Sequence, residues 1–161
     1  MFTVGVLTVS DKGSRGERYD ESGRVVAELV APIGGEVTEY AVVPDELEAI
    51  AGKLRHWADD LHLDVILTTG GTGFAPRDIT PEATLSVVER QAPGLTEAMR
   101  ATGGQQNARA MLSRAAAGIR GRTIMVNLPG SPRGVRESLT VLLPALPHAV
   151  EILTGRPTDH A

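Results

Sequence analysis

From Thr68 to Glu82 the chain reads Thr-Thr-Gly-Gly-Thr-Gly-Phe-Ala-Pro-Arg-Asp-Ile-Thr-Pro-Glu. Gly70, Gly71 and Gly73 free the backbone to take positive φ and let a ligand approach the main chain, so that successive N–H groups can face phosphate oxygens. Thr69 and Thr72 add hydroxyl donors. Thr80 followed by Pro81 predicts an N-cap and first helical residue, and the positive end of that helix would lie beside the same loop. A lone Gly-Gly pair is explained by a tight turn, but a glycine-threonine loop after an apolar run, with an acid and a capped helix behind it, points to phosphate binding. Neither the Gly-Lys-Ser/Thr of a Walker loop nor Gly-x-Gly-x-x-Gly is present, so a kinase or dehydrogenase is not implied.

Two acids stand near this loop. Asp78 among phosphate-binding groups would be repulsive unless a cation stood between them, the setting of Mg²⁺ coordination; a charge at a helix N-terminus explains it equally well. Asp45, after Pro44, could cap a helix, bind metal or orient a nucleophile, and position alone favours the cap. Asn127-Leu128-Pro129-Gly130-Ser131-Pro132 is a turn signal. It also offers Asn127, Gly130 and Ser131 to a nucleotide at a strand–helix crevice. Ser10-Asp11-Lys12-Gly13-Ser14-Arg15 reads as a solvated loop that could reach an anion, as could Arg109, Ser113 and Arg114 if their segment folds over the pocket. The four histidines show no ligand spacing, and without cysteine there is no thiol catalysis, disulfide or Cys-ligated metal.

The elements that must position these groups alternate. Runs at Thr3–Val9, Glu36–Val43, Val65–Thr69 and Thr123–Leu128 read as strands, three of them nearly continuous in apolar residues, as in a parallel sheet covered on both faces. Helices are predicted after Asp45 (Leu47, Ile50, Leu54, Trp57 and Leu61 on one face), around Val25–Val30, from Thr80 to Val88, and from Ser131 toward Ile152 with a break near Pro144 and Pro147. Ala92–Gly121 is helical in composition but interrupted at Gly103–Gly104. This predicts a single α/β domain, a three-layer sandwich with a mostly parallel sheet and helices on both faces, core 4–153, tail 156–161 loose. Ligands belong at the carboxyl ends of the strands. A length of 161 residues suits one domain. The net charge of −4 offers no bulk attraction to nucleic acid, no apolar run reaches a membrane span, and no basic leader precedes the first strand, so a cytoplasmic protein is expected.

Together, Thr68–Gly73, Arg77-Asp78-x-Thr80-Pro81-Glu82-Ala83, Leu112-Ser113-Arg114, Asn127–Pro132, Ser10-Asp11 and Val43-Pro44-Asp45 resemble the molybdenum cofactor biosynthesis family of molybdopterin-binding domains. The resemblance runs from about Val4 to Leu153, with the adenylyltransferases and protein B as its nearest branches. It implies a reaction in which the terminal phosphate of molybdopterin attacks the α-phosphate of Mg-ATP and pyrophosphate leaves. It also implies catalytic and metal-holding roles for Asp45 and Asp78. Thr69, Gly70, Gly71, Thr72 and Gly73 would bind phosphate, and Ser10, Asp11, Ser113, Asn127, Gly130 and Ser131 would contact ligand. Its further implications are a trimer, or a hexamer of two trimers, and a downstream molybdenum-insertion protein as partner. A non-catalytic domain holding molybdopterin or its nucleotide is the alternative, and the paired acids favour the enzyme. The related domain of competence and damage-inducible proteins fits less well, given Thr-Pro-Glu after Asp78.

Overall fold

The computed structural model describes residues 1–157, so 158–161 of the expected tail lie outside the described residues. Strands β1 (Phe2–Val9), β2 (Gly35–Val43), β3 (Val65–Thr69), β4 (Arg90–Gln91), β5 (Ala117–Arg120) and β6 (Thr123–Leu128) form one sheet in the order β2-β1-β3-β6-β5-β4. The first four in that order are parallel, whereas β5 and β4 join antiparallel at the edge. Alternate strand residues feed two cores, because successive side chains point to opposite faces. The single-turn helix α1 (Asp11–Ser14) buries no residue, whereas Val4, Val6, Val65, Leu67 and Val126 pack against α2 (Glu21–Val30), α5 (Pro93–Gln106), α6 (Pro132–Leu142) and α7 (Leu146–Thr154). Leu7, Val9, Ile66 and Met125 pack against α3 (Leu47–Asp59) and α4 (Thr80–Val87). That is the three-layer sandwich expected.

Three local expectations are corrected. Glu46, not Asp45, precedes α3, and Asp45 makes no capping bond because its carboxylate is engaged elsewhere. Ile79 is the residue before α4, so Thr80 lies inside the first turn. Gly103 and Gly104 do not break α5, which runs on to Gln106; a side-chain carbon on Gly103 would fall 3.0 Å from the Ala110 Cβ, so this glycine lets the next turn fold back on the helix. Ser131 does cap α6, accepting from the Gly134 amide at 3.0 Å, and the expected break falls at 143–145, around Pro144, with Pro147 in the first turn of α7.

The sheet order sets the site. The chain leaves β1 for β2 on one side and returns across it to β3 on the other. Above the carboxyl ends of β1 and β3 the crossovers diverge and leave a crevice, the place where doubly wound sheets bind ligands.

Candidate active site

The glycine loop runs between strand ends. Gly70 donates its N–H to the Leu128 carbonyl at the end of β6, and Gly70 and Gly71 take φ of +93° and +69°. A side-chain carbon on Gly70 would fall 2.5 Å from the Val9 carbonyl oxygen, so only glycine lets the loop pass this close to β1. Arg114 buckles the loop from outside. Its backbone N–H donates to the Thr72 carbonyl, and its guanidinium donates to the carbonyls of Gly73 and Asp78 and to Glu82.

Asp45 and Asp11 hold each other. The Asp11 amide donates to Asp45 Oδ2 and the Asp45 amide to Asp11 Oδ1, both at 3.0 Å. Arg77 clamps Asp11 with two bonds, from Nε at 2.7 Å and Nη2 at 3.0 Å. The Arg77 hydrogen bond, reinforced by the Asp45 amide, lowers the Asp11 carboxyl to about 2. Burial moves Asp45 the other way, with like charge from Asp11 and Asp78 adding to the rise. Asp78 Oδ2 accepts from the Ala75 amide at 3.0 Å.

These groups surround an open cleft of about 600 Å³ that collects the expected Ser10, Asp45, Thr69, Gly70, Gly71, Asp78, Gly130 and Ser131. Sequence reading missed Asp20, Thr8 and Ser22 on its other wall. Asp20 caps α2 through the Gly23 amide at 3.0 Å and accepts from the hydroxyls of Thr8, at 2.6 Å, and Tyr40. Burial, then Asp20, pushes the Tyr40 phenol well up. The Thr69 hydroxyl donates to Thr8 at 3.1 Å, so its hydrogen is committed to the protein and not free for a phosphate. Ser22 fastens the second loop by donating to the Gly130 carbonyl at 2.7 Å. The Asp-x-Ser-Gly that opens α2 carried a cap signal that would have found Asp20.

Other expected contacts lie elsewhere. Asn127 is fully buried, its Oδ1 accepting from the Ala116 amide and its Nδ2 donating to the hydroxyls of Thr68 and Thr84, so it braces the sheet and does not reach the cleft. Asp11 meets Arg77 and Asp45 and does not line the cleft. Thr72, Gly73 and Ser113 line a second, smaller cavity of about 270 Å³ with Arg100 and Arg109, and Ser131 stands at both.

Among the described residues no cluster of three or more acidic, histidine or cysteine side chains could hold a metal alone. Of the four acids that line the cleft, Asp20, Glu21, Asp45 and Asp78, the pair Asp45 and Asp78 beside the glycine loop nevertheless matches Mg²⁺, which takes one or two protein carboxylates and completes its shell from substrate phosphates and water.

A glycine loop between parallel strand ends, acids and a helix start are the groups from which doubly wound α/β domains build anion-binding sites. Residues 5–148 match the family model described as a probable molybdopterin binding domain, and the chain belongs to that family. It is similar to the molybdopterin biosynthesis enzyme MoaB of Thermus thermophilus, with 55% identity and a TM-score of 0.94 over 99% of this chain and 100% of that one. It is 41% identical to the molybdopterin adenylyltransferase of Helicobacter pylori J99 over 94% of this chain and 88% of that protein. Gephyrin of Dictyostelium discoideum is 43% identical over 97% of this chain, which spans only 23% of gephyrin's length.

Proposed function

We propose that the chain is a molybdopterin adenylyltransferase in molybdenum cofactor biosynthesis. One terminal phosphate oxygen of molybdopterin attacks the α-phosphorus of ATP, the bond from that phosphorus to the bridging oxygen breaks, and pyrophosphate leaves with the electron pair. The observation that carries this reading is the meeting of Asp45 and Asp78 with Gly70 and Gly71 on one cleft, in a chain similar over most of its length to a named adenylyltransferase. Phosphate binding alone would not call for two acids.

An anionic phosphate needs no strong general base. The barrier lies in bringing two polyanions together in line, which is a matter of positioning and charge compensation. Asp45 and Asp78 would hold the Mg²⁺ that enters with ATP, and the ion would supply that compensation. The Gly71 amide and the start of α6 at Ser131 are open to the phosphates, whereas the Gly70 amide is held by Leu128, and the Asp11–Arg77 pair keeps Asp45 in place. The proposal extends to a cytoplasmic trimer, or a hexamer of two trimers, that hands its product to a molybdenum-insertion protein.

Anaerobic incubation of the purified protein with molybdopterin and Mg-ATP tests the reaction. Stoichiometric pyrophosphate and a pterin heavier by one adenylyl group are expected. Tight pterin binding without pyrophosphate would replace the enzyme by a binding domain of the same pathway, and folded protein that binds neither substrate would end the assignment.

A further inference from the structure

Among the described residues, one buried side-chain polar atom lacks a hydrogen-bond partner: the hydroxyl oxygen of Thr80. The residue has no exposed surface, its amide donates to the Gly71 carbonyl at 3.1 Å, and its carbonyl accepts from Thr84 Oγ1 at 2.9 Å. Its backbone is therefore satisfied and its hydroxyl is not. Folded proteins rarely leave a buried hydroxyl unmet, because the lost solvation is not returned.

The direction of that hydroxyl gives it a use. A side-chain carbon built on Gly71 would overlap Thr80 Oγ1 and fall 3.2 Å from Asp45 Oδ1, so the two oxygens converge on one glycine. Asp45 Oδ2 is taken by the Asp11 amide, whereas Oδ1 accepts no hydrogen bond among the described residues. A buried donor and an open carboxylate oxygen thus face the same side of Gly71, part of a pair of consecutive positive-φ glycines lining the cleft. Glycine is the residue whose backbone can shift there without moving a side chain.

Resting on the adenylyltransferase reading, we propose that Thr80 is a positioning residue of that site, whose hydroxyl donates to Asp45 Oδ1 when the phosphates of Mg-ATP settle against Gly70 and Gly71. The carboxylate is then held at both oxygens, by the Asp11 amide on one and the Thr80 hydroxyl on the other. The free protein carries the unmet hydroxyl, and ligand binding relieves it.

Thr80→Val, which keeps the branched shape and removes the hydroxyl, is compared with Thr80→Ser and wild type. Three quantities are measured: the melting temperature of the free protein, its rise on adding Mg-ATP, and the kinetic constants of adenylylation. Thr80→Val should melt at or above the wild-type temperature, show a smaller Mg-ATP-induced rise, and lose about tenfold or more in kcat with KM for molybdopterin unchanged, as expected for a hydrogen bond to a charged group. Thr80→Ser should recover to within about threefold, a rescue that a purely steric role would not give. Wild-type kcat and rise in Thr80→Val would overturn the proposal, as would a lower melting temperature with parallel loss of activity. If wild type makes no adenylylated pterin but only Thr80→Val loses the Mg-ATP-induced rise, the hydroxyl's role stands and the reaction assigned above falls. No rise in wild type overturns both.

Discussion

Asp45 is the carboxylate on which the proposed phosphate chemistry turns, and its surroundings act against its charge. Burial and the negative neighbours Asp11 and Asp78 raise its pKa, so the folded protein favours the protonated form more than the unfolded chain does. Its ionised form at neutral pH therefore works against stability. Asp45→Asn should then be at least as stable as wild type in urea denaturation at neutral pH, and a clear loss of stability would mean that the carboxylate is structural. Asp11 has the opposite sign. Its carboxyl is lowered from 3.8 to about 2, so its stabilising contribution is complete above 3.8 and is lost as pH falls through about 2. Asp11→Asn keeps an acceptor for the Asp45 amide but loses the charge that pairs with Arg77. Its stability deficit should be constant down to about 3.8 and close toward 2; a deficit that widens in acid would contradict this pairing. Asp45 was legible as a candidate because it follows a strand-like run, and Asp78 because it stands behind the glycine-threonine loop. The Asp11–Arg77 clamp, across 66 positions, and the Asp20–Tyr40 bond, across 20, were not, since both depend on which strand ends become neighbours.

At the scale of elements, glycines act in opposite senses. Gly70 lets the loop pass the end of β1, and Gly70→Ala would force both a positive φ and a 2.5 Å approach to the Val9 carbonyl. It should cost at least about 1–3 kcal/mol of stability and weaken Mg-ATP binding. Gly104, inside α5, faces open space, so Gly104→Ala should stabilise by about 0.5–1 kcal/mol with activity unchanged. Thermal denaturation of the two variants checks both signs, and stabilisation by Gly70→Ala would remove the loop's strained role. The four parallel strands could be read from their apolar runs, and the cap at Ser131 from Ser-Pro. The strand next to the edge, β5, could not. It has four residues, and its Gly118 makes room for the Arg90 carbonyl and the Val88 side chain, each 2.7 Å from where a side-chain carbon would sit. So short a strand has no periodicity, and its partner β4 has only two residues.

Over the whole molecule, function depends on a topology that no segment contains. The cleft takes Ser10 from after β1, Asp45 from after β2, Gly70, Gly71 and Asp78 from after β3, and Gly130 and Ser131 from after β6. These segments meet because all four strands are parallel and the crossover direction reverses beside β1. The fold class and the shared rim followed from alternating strand and helix patterns. The division of the rim into two cavities, with Thr72, Gly73 and Ser113 in the second, did not, because it depends on Arg114 fastening the loop and on the turn at 108–112 folding back over α5. The measurement that tests the central claim most directly is single-turnover adenylylation of molybdopterin by wild type, Asp45→Asn and Asp78→Asn at saturating Mg-ATP, with pterin affinity measured on the same samples. Wild type should give product, neither folded variant should give detectable product, and pterin affinities should stay within about tenfold, or roughly 1.4 kcal/mol, of wild type. Full turnover by either variant, or loss of pterin binding in step with turnover, would contradict it.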